Sequence, residues 1–192
     1  FSVQIPFYTM RYNSGGLKVG DNKDNSSVPQ LPGGFVTGQN IINVMSDLAG
    51  GYQDSINFKD LPIPFACMAT DLATGEEVVL DHGQLPIAMR ATMAIPGFFT
   101  PIRIGGRVLV DGGMVNNFPT DVARKMGADI IIGVDIQNDL ANEYQLNSVN
   151  QVLSQIMGLM GNDKYLKNIE EADIYIKPDV SGFTTFSFNS AA

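Results

Sequence analysis

Histidine, cysteine and tryptophan are nearly missing from this chain: its 192 residues hold one His, one Cys and no Trp. A lone cysteine, Cys67, excludes an internal disulfide, and one His with one Cys cannot build a structural zinc site. Cys67 lies within Pro64-Phe65-Ala66-Cys67-Met68-Ala69 and reads as a small buried hydrophobe. Basic residues are also scarce, 12 Lys and Arg against 20 Asp and Glu, for a net charge of −8. That balance argues against a nucleic-acid partner, which needs clustered cations, and mildly against a basic membrane-docking face. No apolar run approaches the roughly 20 residues of a membrane-crossing helix. No P-loop occurs, and no G-x-G-x-x-G opens a helix after a strand, so nucleotide binding has no motif behind it. No serine stands in a G-x-S-x-G elbow; Asn13-Ser14-Gly15-Gly16 comes nearest and fails. No spacing of acidic residues supports a metal site; Asp21-Asn22-Lys23-Asp24-Asn25 lacks the Gly and terminal Glu of a calcium loop. No cofactor is implied. Phe1-Ser2-Val3-Gln4-Ile5-Pro6 has neither an initiator Met nor a signal-peptide layout, which suits a piece of a longer protein. The compartment stays open.

What is present is an ordinary globular balance, 44% apolar and 17% charged, long enough for one domain with a real core. Tyr12 to about Gly34 reads as a long irregular connection rich in Gly, Asn, Asp and Ser; Asn25-Ser26-Ser27 is a glycosylation sequon by pattern only. Ile41, Ile42, Val44, Met45 and Leu48 follow helical spacing up to Gly50-Gly51. Phe65–Ala69 closing at Thr70-Asp71, and Glu77–Leu80 after the Thr74-Gly75 turn, read as strands. Leu85–Ile95, with Pro86 near its start, reads as a helix broken by Pro96-Gly97. Ile102–Ile104 and Arg107–Val110 flank a Gly105-Gly106 hairpin signal. Pro119–Met126 is a short helix stopped by Gly127. The continuous run Ile130–Val134, ending at Asp135, suits a parallel strand covered on both faces. The capping sequence Ser148-Val149-Asn150-Gln151 precedes a helix with Val149, Val152, Leu153, Ile156, Met157 and Met160 on one face. A helical piece around Tyr165–Ile169 leads to a last strand, Ile174–Ile176. Strands alternating with helices predict an α/β fold, a three-layer sandwich with a largely parallel central sheet. The chain reads as one domain, 1–192: an irregular segment plus helix over 1–60, a core over 61–135, and a C-terminal helix and strand over 136–192.

Val108-Leu109-Val110-Asp111-Gly112-Gly113-Met114-Val115-Asn116-Asn117-Phe118-Pro119 is the most informative stretch. An apolar strand stops at a carboxylate, where active sites of α/β proteins usually lie, and two glycines clear the approach to it. The plainer alternative for Asp111 is an Asp-Gly turn. For Asn116 and Asn117 the choice is between tying down the loop behind Asp111 and being plain turn residues. A Ser-His-Asp triad would have to use His82, which stands in an exposed-looking turn, Leu80-Asp81-His82-Gly83. Met89, Met93, Phe98 and Phe99 read as core, with an acyl groove as the alternative. Glu76-Glu77 and Glu170-Glu171 read as solvated pairs.

Several blocks in series resemble bacterial patatin-like phospholipases. These are Leu61-Pro62-Ile63-Pro64-Phe65, Ala69-Thr70-Asp71-Leu72 with Thr74-Gly75-Glu76, Ala88 through Phe99, the Asp111–Pro119 DGG block, and Gly127-Ala128-Asp129 to Asp135. Thr92 stands where many relatives carry Ser. The resemblance implies a lipid acyl-ester hydrolase using a Ser-Asp dyad, with Asp111 as its aspartate, Gly112, Gly113, Asn116 and Asn117 as the active-site loop, and a lipid or acyl ester as substrate. The family's elbow serine and glycine-rich oxyanion loop lie upstream and have no counterpart in these 192 residues, so the nucleophile is none of this chain's residues. The chain is therefore expected to be the C-terminal part of such a domain, inactive alone. Its sheet is expected to have open edges that favour self-association, and a lipid substrate would bring it into peripheral membrane contact. The competing expectations are a lipid-binding or regulatory module that has lost the nucleophile, and a small-molecule enzyme on a Rossmann-like sheet.

Overall fold

Two glycine turns set the topology of the largest sheet. The computed structural model describes residues 34–36, 38–52, 54–137, 140–142, 144, 146–147, 149–180 and 183. Along them run β1 (Gly34–Val36), α1 (Gln39–Leu48), β2 (Ile56–Asn57), β3 (Cys67–Asp71), β4 (Glu77–Leu80), β5 (His82–Gly83) and α2 (Leu85–Thr92). Then come β6 (Gly97–Phe99), β7 (Ile102–Ile104), β8 (Arg107–Asp111), α3 (Thr120–Lys125), β9 (Ile132–Val134), α4 (Val149–Met160), α5 (Asn162–Glu170) and β10 (Ile174–Ile176). Most of the connection from Tyr12, with its Asp21–Asn25 loop, its sequon and Ser14, lies outside the described residues, as does Ser148 of the capping sequence.

The fold is α/β, but the largely parallel central sheet expected from the sequence is corrected. The largest sheet has the order β4-β3-β8-β7, and every neighbour in it is antiparallel. For β7–β8 and β3–β4 the cause is connection length; β3 and β8, also antiparallel, are joined through residues 72–106. β7 reaches β8 through Gly105 and Gly106 alone, at φ 57° and 81°, the left-handed pair of a tight hairpin. β3 reaches β4 through a short turn in which Gly75 has φ 76° and Asp71 Oδ1 accepts from the Ala73 N–H at 3.0 Å. Connections this short join only antiparallel strands, since a parallel pair needs a crossover of about a dozen residues or more. Parallel pairing does occur where such lengths exist, between β1 and β6 and between β9 and β10. β2 and β5 form a separate antiparallel pair.

The core lies between this sheet and α2. Ala88 and Ala91 let the helix approach closely, and they pack with Phe58, Ala69, Leu80 and Leu109. The helix ends at Thr92, short of the expected Ile95, because Pro96 disfavours helical backbone before it. Cys67 sits in this layer as expected, its thiol on the Leu80 and Ala88 carbonyls. Burial pushes that thiol up to about 11, against a hydrogen bond with Thr92 that lowers it.

β9 departs from the expectation of cover on both faces. Gly133 is buried, while Ile132 is 60% and Val134 53% exposed. α4 is likewise half covered: Leu153 and Met157 turn inward, and Val152, Ile156 and Met160 stand exposed.

Candidate active site

β8 delivers Asp111. Leu109 and Val110 are buried within the sheet, and the strand ends where Asp111 turns to φ −48°, ψ 130° and opens a 3-10 turn, Gly112–Met114. The backbone of Asp111 is held on both sides. Its N–H donates to the Ala94 carbonyl at 3.1 Å, and its carbonyl accepts from Thr70 Oγ1 at 3.0 Å. The side chain is half-buried. Oδ1 accepts from the Gly113 N–H at 2.7 Å, and Oδ2 has no hydrogen-bond partner among the described residues. Burial raises the carboxyl above its ordinary value, opposed by the Gly113 bond. A carboxylate of raised pKa with one oxygen uncommitted can accept a proton.

Space requires the first glycine, and the second leaves room for two side-chain oxygens. A Cβ on Gly112 would lie 2.4 Å from the backbone of Met68 on β3. One on Gly113 would lie 2.8 Å from Asn117 Oδ1 and 3.0 Å from Asp111 Oδ1. The five residues singled out in the sequence thus form one turn, but the two amides diverge. Asn117 is exposed. Asn116 is 2% exposed; its N–H closes the turn on the Gly112 carbonyl at 2.9 Å, and its side-chain amide donates to Glu77 Oε2 at 3.1 Å and Asp121 Oδ1 at 3.0 Å.

His82 takes no part in this turn. Its ring is exposed and its Nδ1 lies 2.6 Å from Asp81 Oδ1. A shallow concavity of about 260 Å³ is lined by His82, Gly83, Gln84, Ile87 and Arg103 and involves no residue of the Asp111 turn. Phe99 is buried, with the Arg90 guanidinium 4.8 Å above its ring centre. Met89, Met93 and Phe98 are half-buried.

Three features escaped the sequence reading. Arg90 is fully buried and donates to the Thr100 carbonyl at 3.0 Å; burial pulls its pKa down. Its signal was an arginine set between Ala88 and Ala91 on the core face of a helix. Asp135, also fully buried, accepts from the hydroxyls of Tyr165 at 2.7 Å and Tyr175 at 2.6 Å. Burial pushes its carboxyl up, but these hydroxyls, the Gln137 N–H and Lys177 outweigh that and hold it below the ordinary range. Its signal was a carboxylate ending an apolar run. Asn168 of α5, which bonds Asn116 of the Asp111 turn, and Lys164 of α5, which pairs with the two carboxylates that hold Asn116, carried no local signal.

A family model for patatin-like phospholipases matches residues 19–124, just over half the chain. An uncharacterised NTE family protein of Mycobacterium tuberculosis is 33% identical over 108 residues, covering 56% of this chain and 29% of that protein. A patatin-like phospholipase domain-containing protein of Caenorhabditis elegans is 40% identical over 119 residues, 59% of this chain and 9% of that protein. Patatin-like phospholipase domain-containing protein 7 of Mus musculus is 37% identical over 90 residues, 44% of this chain and 7% of that protein. The match thus spans less than a third of each relative's own length. It nevertheless reaches from before the core through the whole Asp111–Asn117 turn, and on that ground the chain belongs to the patatin-like phospholipase family.

Proposed function

We propose that this chain carries the aspartate half of a Ser-Asp dyad in a lipid acyl-ester hydrolase whose nucleophilic serine comes from outside these 192 residues. One observation carries the reading: a carboxyl at a strand end, raised by burial, with one oxygen fixed by the Gly113 N–H and the other without a hydrogen-bond partner among the described residues. In the reaction, Asp111 takes the serine hydroxyl proton as the oxygen attacks the ester carbonyl. It returns that proton to the leaving alcohol, then deprotonates the water that attacks the acyl-enzyme and passes this second proton to the departing serine oxygen. The hydrogen bond from Gly113 leaves one oxygen facing the nucleophile, and burial brings the carboxyl closer to the basicity the step needs. The substrate class, a lipid ester, follows the family, and the enzyme would meet it at a lipid–water surface.

The test is Asp111→Asn in the full-length gene product. We expect kcat on an acyl ester to fall by about 10²–10⁴-fold, the usual contribution of a positioned base, and the 192-residue chain alone to be inactive. Wild-type turnover by Asp111→Asn would overturn the assignment. The competing reading is a lipid-binding or regulatory module on the same fold. The upstream coding sequence separates the two, since an elbow serine there belongs only to the enzyme.

A further inference from the structure

Around Asn116, at the end of the Asp111 turn, the chain builds a largely buried polar network whose members come from four separate elements. Asn116 is the hub on the turn itself. Asn168 of α5, also 2% exposed, donates from its one amide to Asn116 Oδ1 at 3.0 Å, the Phe118 carbonyl at 2.8 Å and Asp121 Oδ1 at 3.1 Å. Its own carbonyl accepts from Thr120 Oγ1 at 2.6 Å. Lys164, one turn earlier on α5, places its ammonium between Asp121 Oδ2, at 3.2 Å, and Glu77 Oε2 of β4. Those carboxylates are the two acceptors that hold the Asn116 amide. The junction of α4 and α5 adds a steric backstop: a Cβ on Gly161 would lie 3.3 Å from the Val115 carbonyl oxygen. Asn116, the last residue of the turn, is therefore held by α5, β4 and α3 together.

We infer that Asn168 and Lys164 are positioning residues for the Asp111 carboxylate, acting through Asn116 and the 3-10 turn; this rests on the dyad reading above. The reasoning is geometric. Oδ1 of Asp111 is aimed by the Gly113 N–H, and Gly113 sits in a turn closed by the Asn116 N–H on Gly112. The Asn116 amide has two anionic acceptors, and without the ammonium between them those acceptors repel each other. A displacement of about 1 Å at a catalytic base costs up to about 10²-fold in rate. Glu77, Asn116 and Asp121 lie within the residues matched by the family model, and Lys164 and Asn168 lie beyond its end at residue 124.

The experiment compares Asp111→Asn, Lys164→Met, Lys164→Arg and Asn168→Ala in the full-length gene product, with kcat and KM on a soluble short-chain acyl ester and a folding check by circular dichroism. Lys164→Met and Asn168→Ala are expected to lower kcat by about tenfold or more with KM within about twofold, the signature of a loss confined to the transition state. Lys164→Arg, which can still bridge two carboxylates, is expected to keep kcat within about threefold of wild type. If Asn168→Ala fails to fold, the half-exposed Lys164 pair decides. Wild-type kcat in Lys164→Met, or a loss carried by KM, overturns the inference. The same result beside an inactive Asp111→Asn leaves the dyad reading standing, whereas an active Asp111→Asn removes that reading first.

Discussion

Asp111 belongs to the turn and Asp121 to its anchor, and their carboxyls are displaced from the ordinary value in opposite directions. Burial raises Asp111 above its ordinary 3.8, against the Gly113 N–H. Its contribution to stability is therefore fully present below pH 3.8 and is lost as pH rises through the raised folded value. Asp121 is pushed up by burial, but hydrogen bonds from Asn116, Lys125 and Lys164 prevail and bring it from 3.8 down to about 2. Its contribution is present above pH 3.8 and is lost as pH falls through about 2. Urea titrations across pH separate the two. Asp111→Asn, which keeps an oxygen for the Gly113 N–H, is expected to be more stable than wild type at pH 7, with the gain vanishing toward pH 3. Asp121→Asn is expected to be less stable at pH 7 by about 2 kcal/mol, with the difference closing in acid. Equal stability of Asp111→Asn and wild type at pH 7 would mean that the carboxylate bears no cost of burial, and its raised basicity would go with it.

At the level of elements, what was legible in the sequence was what local pattern dictates. α1, α2, β3, β4, the β7–β8 hairpin, α3, α4, α5 and β10 stand close to where periodicity and the Gly and Pro signals put them. The short pieces β1, β2, β5 and β6 were not legible, because strands of two or three residues have no alternation to detect. Sheet direction was misread because the alternation of helices and strands outweighed the two tight turns that decide it for β3–β4 and β7–β8, and because the long-range pairing of β3 with β8 has no local signal. The Asp111 turn was readable as one contiguous block. Its buttress was not, since Asn168 lies 52 residues from Asn116 and Lys164 lies 87 from Glu77. β9 shows how one small residue couples distant elements. A Cβ on Gly133 would lie 2.2 Å from Phe118 Cζ. Phe118 meets Tyr165 and Tyr175 edge-on, with ring centres 6.2 and 6.0 Å away, and its carbonyl receives the Asn168 amide. Gly133→Ala must shift that ring, and we expect a loss of about 1–3 kcal/mol in chemical denaturation, as overpacked cores show. A neutral Gly133→Ala would mean that β9 and α5 are not coupled through Phe118.

For the molecule as a whole, the uncovered surface is the unresolved demand. β9 and β10 pair only with each other among the described residues. Their exposed side chains, Ile132, Val134, Ile174 and Ile176, continue into Ile130 and Ile136, which are 70% and 68% exposed. An apolar ridge on a two-stranded sheet with neither edge paired among the described residues is poorly compatible with a lone soluble monomer, because apolar patches and unpaired strand edges both recruit another chain. The net charge of −8 opposes aggregation in general, but screening at physiological salt limits that repulsion to about 8 Å, while the ridge acts on contact. The 192-residue chain by itself is therefore expected to associate through this face. Sedimentation velocity over about a tenfold concentration range should show a rising weight-average mass. Replacing Ile132 and Ile176 by Lys, the residue that natural edge strands use to block pairing, should return it to a monomer with unchanged circular dichroism. A monodisperse monomer of the unsubstituted chain at every concentration would show that the ridge is satisfied without a partner.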